Sequence, residues 1–322
     1  MEYVIGIDGG GTSTTAIAVD REGRQIAHAE GQASNPKSSS GTDYRTNIHN
    51  VISQLLNDSS LALEQCCGVG AGMAGVYTPE ECEAGEQLLR SYWHERRQQV
   101  PDILVVSDAE TALAAAFGTN RGIVAIAGTG SIVLGVLPSG ERVRAGGWGH
   151  ILGDQGSGYA IGQRALQTVM LGYDGIVAVT ELSDKVLHHY GARSAEELRY
   201  IMYQPQMGKR QIAAAAKLCI EASQSGDVLA QQIIMQAASD MAEFVQVLLN
   251  RYPQLEQTGI AAAGSIFRHS VLYRETFVQQ LQQNHTNLPE IRLAEQEAAY
   301  GAVILIMNKL AKYPHVWTQG GQ

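Results

Sequence analysis

Short β-branched runs separated by glycine-containing turns occur twice along the chain, in the same order. The first set comprises three runs, at residues 3–8, 14–19 and 24–30. The second set also comprises three runs, at residues 122–127, 132–137 and 141–145. Because β-branched runs bounded by turn residues are typical of strands, each set predicts a three-strand antiparallel meander. The spacing between the sets, roughly 120 residues, is too long for a solenoid repeat and favours a duplicated α/β domain.

Helix-like and strand-like patterns alternate between the two meanders. Apolar positions recur at helical spacing in residues 46–56, 79–93 and 110–117, whereas residues 67–73 and 103–108 are apolar runs of strand length. This order of strand, helix, strand and helix predicts a partly parallel sheet covered on both faces. The second half is predicted to be more helical, with helices at 212–223, 228–252 and 295–312, a strand at 259–263 and a loose tail after residue 312.

Length and charge narrow the class of protein. At about 150 residues per domain, 322 residues predict two domains. The net charge of −9, from 23 basic and 32 acidic residues, disfavours a nucleic-acid partner, since such proteins carry basic surfaces. The longest apolar run, residues 298–307, is about half the ~20 residues that a membrane helix requires, so no membrane partner is expected.

The cysteines and the N-terminal residues favour a reducing cytoplasm. Cys66, Cys67, Cys82 and Cys219 form no CxxC pair, so they predict neither a zinc knuckle nor a disulfide framework. The first ten residues, MEYVIGIDGG, contain no basic segment followed by an apolar one, so no export signal is expected.

The two glycine turns, at residues 9–12 and 128–131, are candidate phosphate sites. Without side chains, backbone N–H groups can approach phosphate oxygens closely. The chain contains no GxxxxGK[ST] string, and residues 13–19 continue as a strand, whereas a dinucleotide fingerprint would open a helix. Hairpin tips also use glycine for conformational reasons alone. Two such tips at matching places in a duplicated chain favour a clamp on a triphosphate.

Two aspartates stand at the ends of predicted strands. Asp8 precedes the first glycine turn, where its carboxylate could hold Mg²⁺ through water; alternatively, it hydrogen-bonds within its own turn. Asp108 ends the strand at 103–108, at the sheet edge where α/β proteins bind ligands, and could accept a proton from an attacking hydroxyl. The alternative for Asp108 is a helix N-cap.

Residues 146–158 hold six glycines around Trp148 and Asp154. Such a segment forms neither a good helix nor a good strand, so another constraint must hold it in place. Backbone amides and the Asp154 carboxylate suit a polyhydroxylated ligand. The alternative is a long loop with Trp148 as a core anchor, and His150 is expected to hydrogen-bond internally.

Six motifs are spread over nearly the whole chain: IGIDGGGT (5–12), SDA (107–109), AIAGTGS (125–131), GGWGHILGDQGS (146–157), AAAGSI (261–266) and EAAYGA (297–302). Together they resemble the N-acetylglucosamine kinases of the BadF/BadG/BcrA/BcrD ATPase family, within the actin, Hsp70 and hexokinase-like superfamily. Two positions depart from the family pattern. Gln155 replaces a common glutamate, and Ala298-Ala299 replaces a proline-containing pair.

The resemblance implies an α/β fold of the duplicated RNase H-like, actin-like ATPase type, with two lobes, mixed sheets and a central cleft. Residues 1–117 plus 291–312 would form the N-terminal lobe, with the first phosphate motif and the catalytic aspartate. Residues 118–290 would form the C-terminal lobe, with the second phosphate, sugar-loop and adenosine motifs. Residues 313–322 would be a tail.

The resemblance also implies the site residues and the cofactors, ATP and Mg²⁺. Asp108 matches the catalytic base, and Asp8 the magnesium residue, through water. The nucleotide-binding residues would be Gly10, Gly11, Thr12, Gly128, Thr129, Gly130, Ser131, Ala214, Gly264 and Ser265. The substrate-binding residues would be Asn35, Asp108, Gly147, Trp148, Gly149 and Asp154.

The implied function is ATP-dependent phosphorylation of N-acetylglucosamine, or a close amino sugar, at the 6-hydroxyl by a cytoplasmic homodimer. Glucosamine and N-acetylmuramic acid remain alternative acceptors, since they differ from it only at C2 or C3. An ATPase activator of a dehydratase or reductase is the alternative from another class, but such proteins carry an iron–sulfur cluster on cysteines whose pattern is missing here. A non-catalytic actin-like module and a ROK-type kinase, which would show a cysteine-rich zinc motif, are weaker alternatives.

Overall fold

The computed structural model describes residues 2–11, 13–36, 41–59, 61–285, 287–294 and 298–311, without the side chains of residues 41 and 42. The backbone divides into two compact units. Unit 1 comprises Met1–Arg121 and Ala294–Gln322, and unit 2 comprises Gly122–Leu293.

Unit 1 is built on a five-stranded mixed sheet. Its elements are β1 (Tyr3–Gly9), β2 (Ser13–Asp20), β3 (Gln25–Gln32), α1 (Gly41–Ser59), β4 (Cys66–Met73), α2 (Pro79–Glu95), β5 (Asp102–Ser107), α3 (Asp108–Phe117) and, at the end of the chain, α11 (Ala298–Ala311). The strand order is β3-β2-β1-β4-β5. The first three strands form the predicted antiparallel meander, while β4 and β5 run parallel to β1.

Both faces of the unit 1 sheet are covered, as the order of elements predicts. Because side chains alternate along a strand, Ile5 packs on one face with residues of α1 and α2, such as Ile52 and Trp93. Val4 points to the opposite face and packs against Val303 of α11. The segment that precedes α11, residues 295–297, was predicted as the start of the last helix and lies outside the described residues.

Unit 2 contains a second five-stranded sheet and more helices. Its elements are β6 (Gly122–Ala127), β7 (Ser131–Val136), β8 (Arg142–Gly146), α4 (Gly158–Tyr173), α5 (Glu181–Tyr190), α6 (Ala195–Met202), α7 (Lys209–Gln224), α8 (Val228–Arg251), β9 (Gly259–Ala263), α9 (Ser265–His269), α10 (Val271–Asn284) and β10 (Glu290–Leu293). The strand order is β10-β9-β6-β7-β8. Here β6, β7 and β8 are the antiparallel meander, and β9 and β10 are parallel to β6.

The two sheets share one topology. In each, the first strand of an antiparallel meander is extended by two parallel strands, so β1, β4 and β5 correspond to β6, β9 and β10. The prediction of a duplicated α/β fold with mixed sheets is therefore confirmed. Because parallel strands end on the same side, each unit gathers its loops at the carboxyl edge of its sheet, where α/β proteins bind ligands.

Six elements of unit 2 were not predicted: α4, α5, α6, α9, α10 and β10. The start of α4 lies at the end of the glycine-rich stretch, and its N-cap is Ser157, whose hydroxyl accepts a hydrogen bond from Ala160 N–H at 3.2 Å. Because Ser157 directly follows Gly156, the sequence pattern there does not distinguish the start of a helix from a continuing loop. Among the described residues, no helix is long and apolar enough to cross a membrane.

Candidate functional site

The first glycine turn joins β1 to β2 and is tied to the chain that follows β3. Gly10 N–H donates to Ser13 O at 3.0 Å, and Gly10 O accepts from Ser34 N–H at 3.1 Å. The Ser34 hydroxyl accepts from the Thr14 hydroxyl at 2.7 Å, in the interior. These bonds fix the turn in its conformation before any ligand arrives. Thr12, a predicted phosphate residue, lies outside the described residues.

Asn35 lies beside this turn. A Cβ added to Gly11 would lie 3.8 Å from the Asn35 Nδ2 atom. A Cβ added to Gly75, near the start of the loop that follows β4, would lie 2.6 Å from Asn35 Oδ1. The carboxamide therefore lies between two glycines, and the structure brings this predicted substrate residue to the predicted phosphate turn.

Asp8 and Asp108 lie at the same edge of the unit 1 sheet. Asp8 is opposite Gly72 of β4, which in turn is opposite Val106 of β5. Since neighbouring strands are about 4.8 Å apart, the two aspartates are separated across the sheet by about two strand spacings, or ~10 Å. The carboxyl edge of unit 1 thus carries the predicted metal residue and the predicted base.

Asp108 is the first residue of α3, and the prediction that it could be an N-cap is wrong. The cap is Ser107, whose hydroxyl accepts from Glu110 N–H at 3.4 Å while the Glu110 carboxylate accepts from Ser107 N–H at 3.2 Å. Asp108 Oδ1 accepts from Ala109 N–H at 2.9 Å. Burial raises the pKa of the Asp108 carboxyl above its ordinary value, and the Ala109 hydrogen bond opposes this only in part. The carboxylate is therefore a stronger base than an exposed aspartate.

The second glycine turn, between β6 and β7, is held by the start of α4. Gly128 N–H donates to Gly130 O at 2.9 Å, which closes the turn. Gly158 N–H, at the start of α4, donates to Gly128 O at 2.7 Å. The Ser131 hydroxyl donates to Gln155 O at 2.6 Å, so the glycine-rich loop is also joined to the turn.

Asp154 lies against this turn and is paired with a lysine. Asp154 is 3 % exposed, and its φ of 61° lies in the left-handed region that non-glycine residues seldom adopt. Asp154 Oδ2 accepts from Lys209 Nζ at 2.7 Å. A Cβ on Gly130 would lie 2.8 Å from Asp154 Oδ2 and 2.9 Å from Lys209 Nζ, so a side chain there would displace the pair from its present position. The structure thus brings a predicted sugar residue to a predicted phosphate residue.

Trp148 and His150 differ from two of the expectations. Trp148 is 62 % exposed, so it is no core anchor, and the Arg144 guanidinium lies 3.9 Å from the centre of its ring. His150 is also exposed, with its ring edge-on to Tyr159 at 5.0 Å. Gly147 and Gly149, with φ of 70° and 81°, flank the tryptophan.

A pocket of about 620 Å³ opens in unit 2 between the second glycine turn, α7 and α9. Its walls include Gly128, Thr129, Ala214, Lys217, Ser265 and His269. Three motifs that are far apart in sequence therefore meet at one cavity, whose volume is typical of small-molecule sites. Of the other predicted nucleotide residues in this unit, Gly130, Ser131 and Gly264 are not among the lining residues.

Gly264 shapes the pocket indirectly. It has a φ of 99°, and a Cβ there would lie 2.3 Å from Ala127 O at the end of β6. Glycine therefore allows the β9–α9 turn to lie directly on β6, which places Ser265 at the pocket.

Comparison with known proteins agrees with this arrangement. Residues 5–305 match the BadF/BadG/BcrA/BcrD ATPase family. The chain belongs to this family. Two relatives of this ATPase are similar over nearly their whole length. One, named N-acetylmuramic acid/N-acetylglucosamine kinase, from Clostridium acetobutylicum, is 30 % identical over 96 % of this chain and 99 % of its own. The other, named N-acetyl-D-glucosamine kinase, from Dictyostelium discoideum, is 28 % identical over 95 % of this chain and 98 % of its own.

Solved structures share the fold of this ATPase. A Chromobacterium violaceum protein assigned as an N-acetylglucosamine kinase matches with a TM-score of 0.71 and 26 % identity, over 95 % of this chain and 99 % of its own. A ROK-family glucokinase from Streptomyces griseus matches with a TM-score of 0.58 over 95 % of this chain and 99 % of its own. Because the two chains are only 16 % identical, this likeness concerns the fold alone. Actin-like ATPase sugar kinases are therefore its structural neighbours.

Two basic residues at the start of α7 were missed by sequence reasoning. Lys209 pairs with Asp154, and Arg210 lines the pocket. The available signal was a Lys-Arg pair directly after Gly208, at the beginning of an apolar helical pattern. Basic residues there are unusual, since cations are less favourable near a helix N-terminus.

We predict that Gly264→Ala destabilises unit 2 far more than Gly226→Ala. Both glycines have nearly the same φ, 99° and 95°, but a Cβ at Gly226 would meet nothing within 4 Å. Backbone strain alone costs about 1 kcal/mol, whereas Gly264→Ala adds a clash with Ala127 O. Urea unfolding followed by circular dichroism measures the difference. Equal midpoints for the two variants would contradict the close approach at Gly264.

Proposed function

We propose that the protein transfers the γ-phosphoryl group of ATP to the 6-hydroxyl of N-acetylglucosamine or a close amino sugar. The observation that carries the proposal is the pocket at which the second glycine turn, Ala214 and Ser265 meet, with Asp154 lying against the same turn. Relatives that cover 95 % or more of the chain are named as kinases of N-acetylglucosamine, and one that covers 77 % is named as a glucosamine kinase, which supports the same substrate class.

The pocket is proposed to hold the adenosine part of ATP. Alanines at three lining positions of α7 leave room for a flat base, and Ile220 and Ile266 add apolar surface. Thr129, in the second glycine turn, also lines the pocket and offers its backbone N–H to a phosphate oxygen, whereas Gly128 N–H is already bonded to Gly130 O. The same cavity is lined by two basic side chains, Arg210 and Lys217, and by the acidic Glu221, which pairs with Lys217 at 3.9 Å. The remaining positive charge suits a polyanionic ligand.

Asp108 is proposed as the general base, and the first glycine turn, with Gly10 and Gly11, as a second phosphate contact. In phosphoryl transfer the protein contributes mainly position and charge, so the base needs to take the proton of the attacking hydroxyl and little more. The raised pKa of Asp108 favours this role, because a base is more effective as its pKa approaches the working pH.

Asp8 is proposed to hold Mg²⁺ through water. A single carboxylate beside a glycine turn fits this ion, which keeps several water ligands and takes one or two carboxylates together with substrate phosphates. Within the described part of the chain, no group of three or more His, Cys, Asp or Glu side chains could hold a metal. When bound, Mg²⁺ would neutralise charge on the phosphate oxygens.

The sugar is proposed to bind through Asn35, Asp154 and the backbone of Gly147 and Gly149. Polar groups that hydrogen-bond to hydroxyls discriminate strongly against analogues that lack them. N-acetylmuramic acid is the second candidate acceptor, and Arg144 favours it. This exposed guanidinium lies over Trp148 and makes no ion pair with any acidic side chain among the described residues, so it could receive the lactyl carboxylate.

A cytoplasmic location and a homodimer complete the proposal. ATP as substrate and four cysteines that form no disulfide support the first. The homodimer rests on the family resemblance alone.

The test is ADP release from ATP in the presence of a panel of sugars. We expect N-acetylglucosamine or N-acetylmuramic acid to be the best acceptor, glucosamine weaker and glucose weaker still. Without sugar, ADP release should be slow, because water is a poor substitute for a positioned hydroxyl. Hydrolysis that is equally fast with and without sugar would contradict the proposal and favour the ATPase-activator alternative.

Asp108→Asn is expected to lower kcat by about 10²–10⁴-fold, the usual contribution of a general base. ATP and sugar affinities should change little, since asparagine keeps the shape of the side chain. The wild-type rate should also fall at acidic pH, with an apparent pKa above that of an ordinary aspartate, because protonation removes the base. Asp102→Asn, at the exposed opposite end of β5, is the matched control. Turnover within threefold of wild type would show that Asp108 has no such role.

Asp8→Ala is expected to raise the Mg²⁺ concentration required for half-maximal rate and to lower kcat. Sugar affinity measured without nucleotide should stay unchanged, because the carboxylate acts on the metal–nucleotide complex. The measurement is a Mg²⁺ titration of the initial rate, with Asp58→Ala, on the exposed side of α1, as control. An unaltered titration would refute the assignment.

A further inference from the structure

The Lys209–Asp154 pair has a geometry that the proposed function leaves unexplained. Asp154 is almost fully buried, whereas the Lys209 side chain is 32 % exposed. A carboxylate in the interior needs a partner, and removal of that partner is strongly destabilising. Yet the partner is a lysine that still reaches solvent, when internal hydrogen-bond donors would have served stability alone.

The ammonium group has capacity for a second ligand. A lysine carries three N–H donors, and the structure gives Lys209 one acceptor, Asp154 Oδ2, among the described residues. Because the Lys209 side chain is partly exposed, its remaining donors can reach a ligand that arrives from solvent. An ordered anion at that side would complete the coordination of Lys209 without breaking its bond to Asp154.

The position of the Lys209 ammonium group indicates which anion would bind to it. Nζ lies 2.9 Å from where a Cβ of Gly130 would be, so it lies beside the second glycine turn. That turn is the proposed phosphate site. Lys209 is also the first residue of α7, the helix that supplies Arg210, Ala214 and Lys217 to the pocket wall. One short helical segment thus joins the pocket, the phosphate turn and Asp154.

Asp154 itself is held under strain. Its φ of 61° is costly for a residue with a side chain, and such strain persists only where the surroundings fix it. Two hydrogen bonds fix Asp154 in this conformation. Lys209 Nζ donates to its carboxylate, and Ser157 N–H donates to its backbone O at 3.2 Å. The orientation of the carboxylate therefore depends on where the ammonium is.

We propose that Lys209 binds the terminal phosphates of the nucleotide and, through its bond to Asp154, couples nucleotide binding to sugar binding. One N–H orients the Asp154 carboxylate towards a sugar hydroxyl, while another contacts a β- or γ-phosphate oxygen at the Gly128–Ser131 turn. The inference rests on the proposed function, since it assumes that Asp154 serves the sugar. By linkage, each ligand then tightens the other by the same factor.

The experiment is calorimetric titration of Lys209→Gln and the wild type with AMP and with the β,γ-imido analogue of ATP. AMP lacks the phosphates that Lys209 would contact. We expect the variant to bind the ATP analogue at least tenfold more weakly and AMP within twofold of wild type. N-acetylglucosamine affinity should rise at least fivefold with the ATP analogue in the wild type, and should not respond to it in the variant.

Two further variants keep the test decisive if Lys209→Gln is unstable. Lys209→Arg retains the positive charge and should bind the ATP analogue within about threefold of wild type. The double variant Asp154→Asn/Lys209→Gln leaves no buried charge unpaired, and it should bind the ATP analogue at least fivefold more weakly than Asp154→Asn alone. Lys185→Gln is the matched control, because Lys185 also pairs with one carboxylate, Glu181 at 3.2 Å, from a helix of the same unit.

Equal losses for AMP and the ATP analogue, or a loss of sugar affinity alone, would overturn the proposal, since Lys209 would then only support the fold around Asp154. These outcomes are distinct from failure of the proposed function. If the wild type phosphorylates no amino sugar in the panel, the function is wrong even where Lys209 discriminates ATP from AMP. If the wild type phosphorylates an amino sugar but Lys209→Gln binds AMP and the ATP analogue with equal losses, only the inference about Lys209 is wrong.

Discussion

The candidate site in each unit depends on close contacts at glycine residues, where a Cβ atom would collide with a neighbouring atom. In unit 2, Gly264 brings the β9–α9 turn onto Ala127 O, and Gly130 leaves space for the Asp154–Lys209 pair. In unit 1, a Cβ on Gly9 would lie 2.7 Å from the Ser34 hydroxyl, which helps to fix the first turn. Such contacts put backbone N–H groups, rather than side chains, at the places where phosphate oxygens can bind.

The sheet topology converts these local contacts into sites. A meander extended by two parallel strands sends three strand ends to one edge, and it does so twice. At that edge of unit 1 lie Asp8, the first glycine turn and Asp108. At that edge of unit 2 lie the second glycine turn and Ser265. Helices that begin there contribute capped N-termini, such as Ser107 before α3 and Ser157 before α4, and the latter helix holds the glycine turn directly.

Much of this organisation was predictable from the sequence, because β-branched runs and glycine turns are local signals. Both meanders, the covered sheet of unit 1 and the duplication follow from them. The elements missed, such as α4 and β10, begin after glycine or are only four residues long, so their pattern is weak. Side-chain environments were harder: Trp148 is exposed, Ser107 rather than Asp108 caps α3, and Lys209 was not singled out. The Ser107 cap was readable, because Ser107 and Glu110 have the local spacing of a capping box. The Lys209–Asp154 pair, in contrast, joins residues that are 55 positions apart, which periodicity does not encode.

The central claim is transfer of a phosphoryl group to a sugar hydroxyl by a protein of this ATPase family. The carbon that carries the phosphate is therefore the most direct evidence. The measurement is carbon-13 NMR of the product formed from ATP and uniformly carbon-13-labelled N-acetylglucosamine. The account predicts a downfield shift and phosphorus coupling at C6, with equimolar ADP. Phosphate on C1, or inorganic phosphate with unchanged sugar, would contradict it.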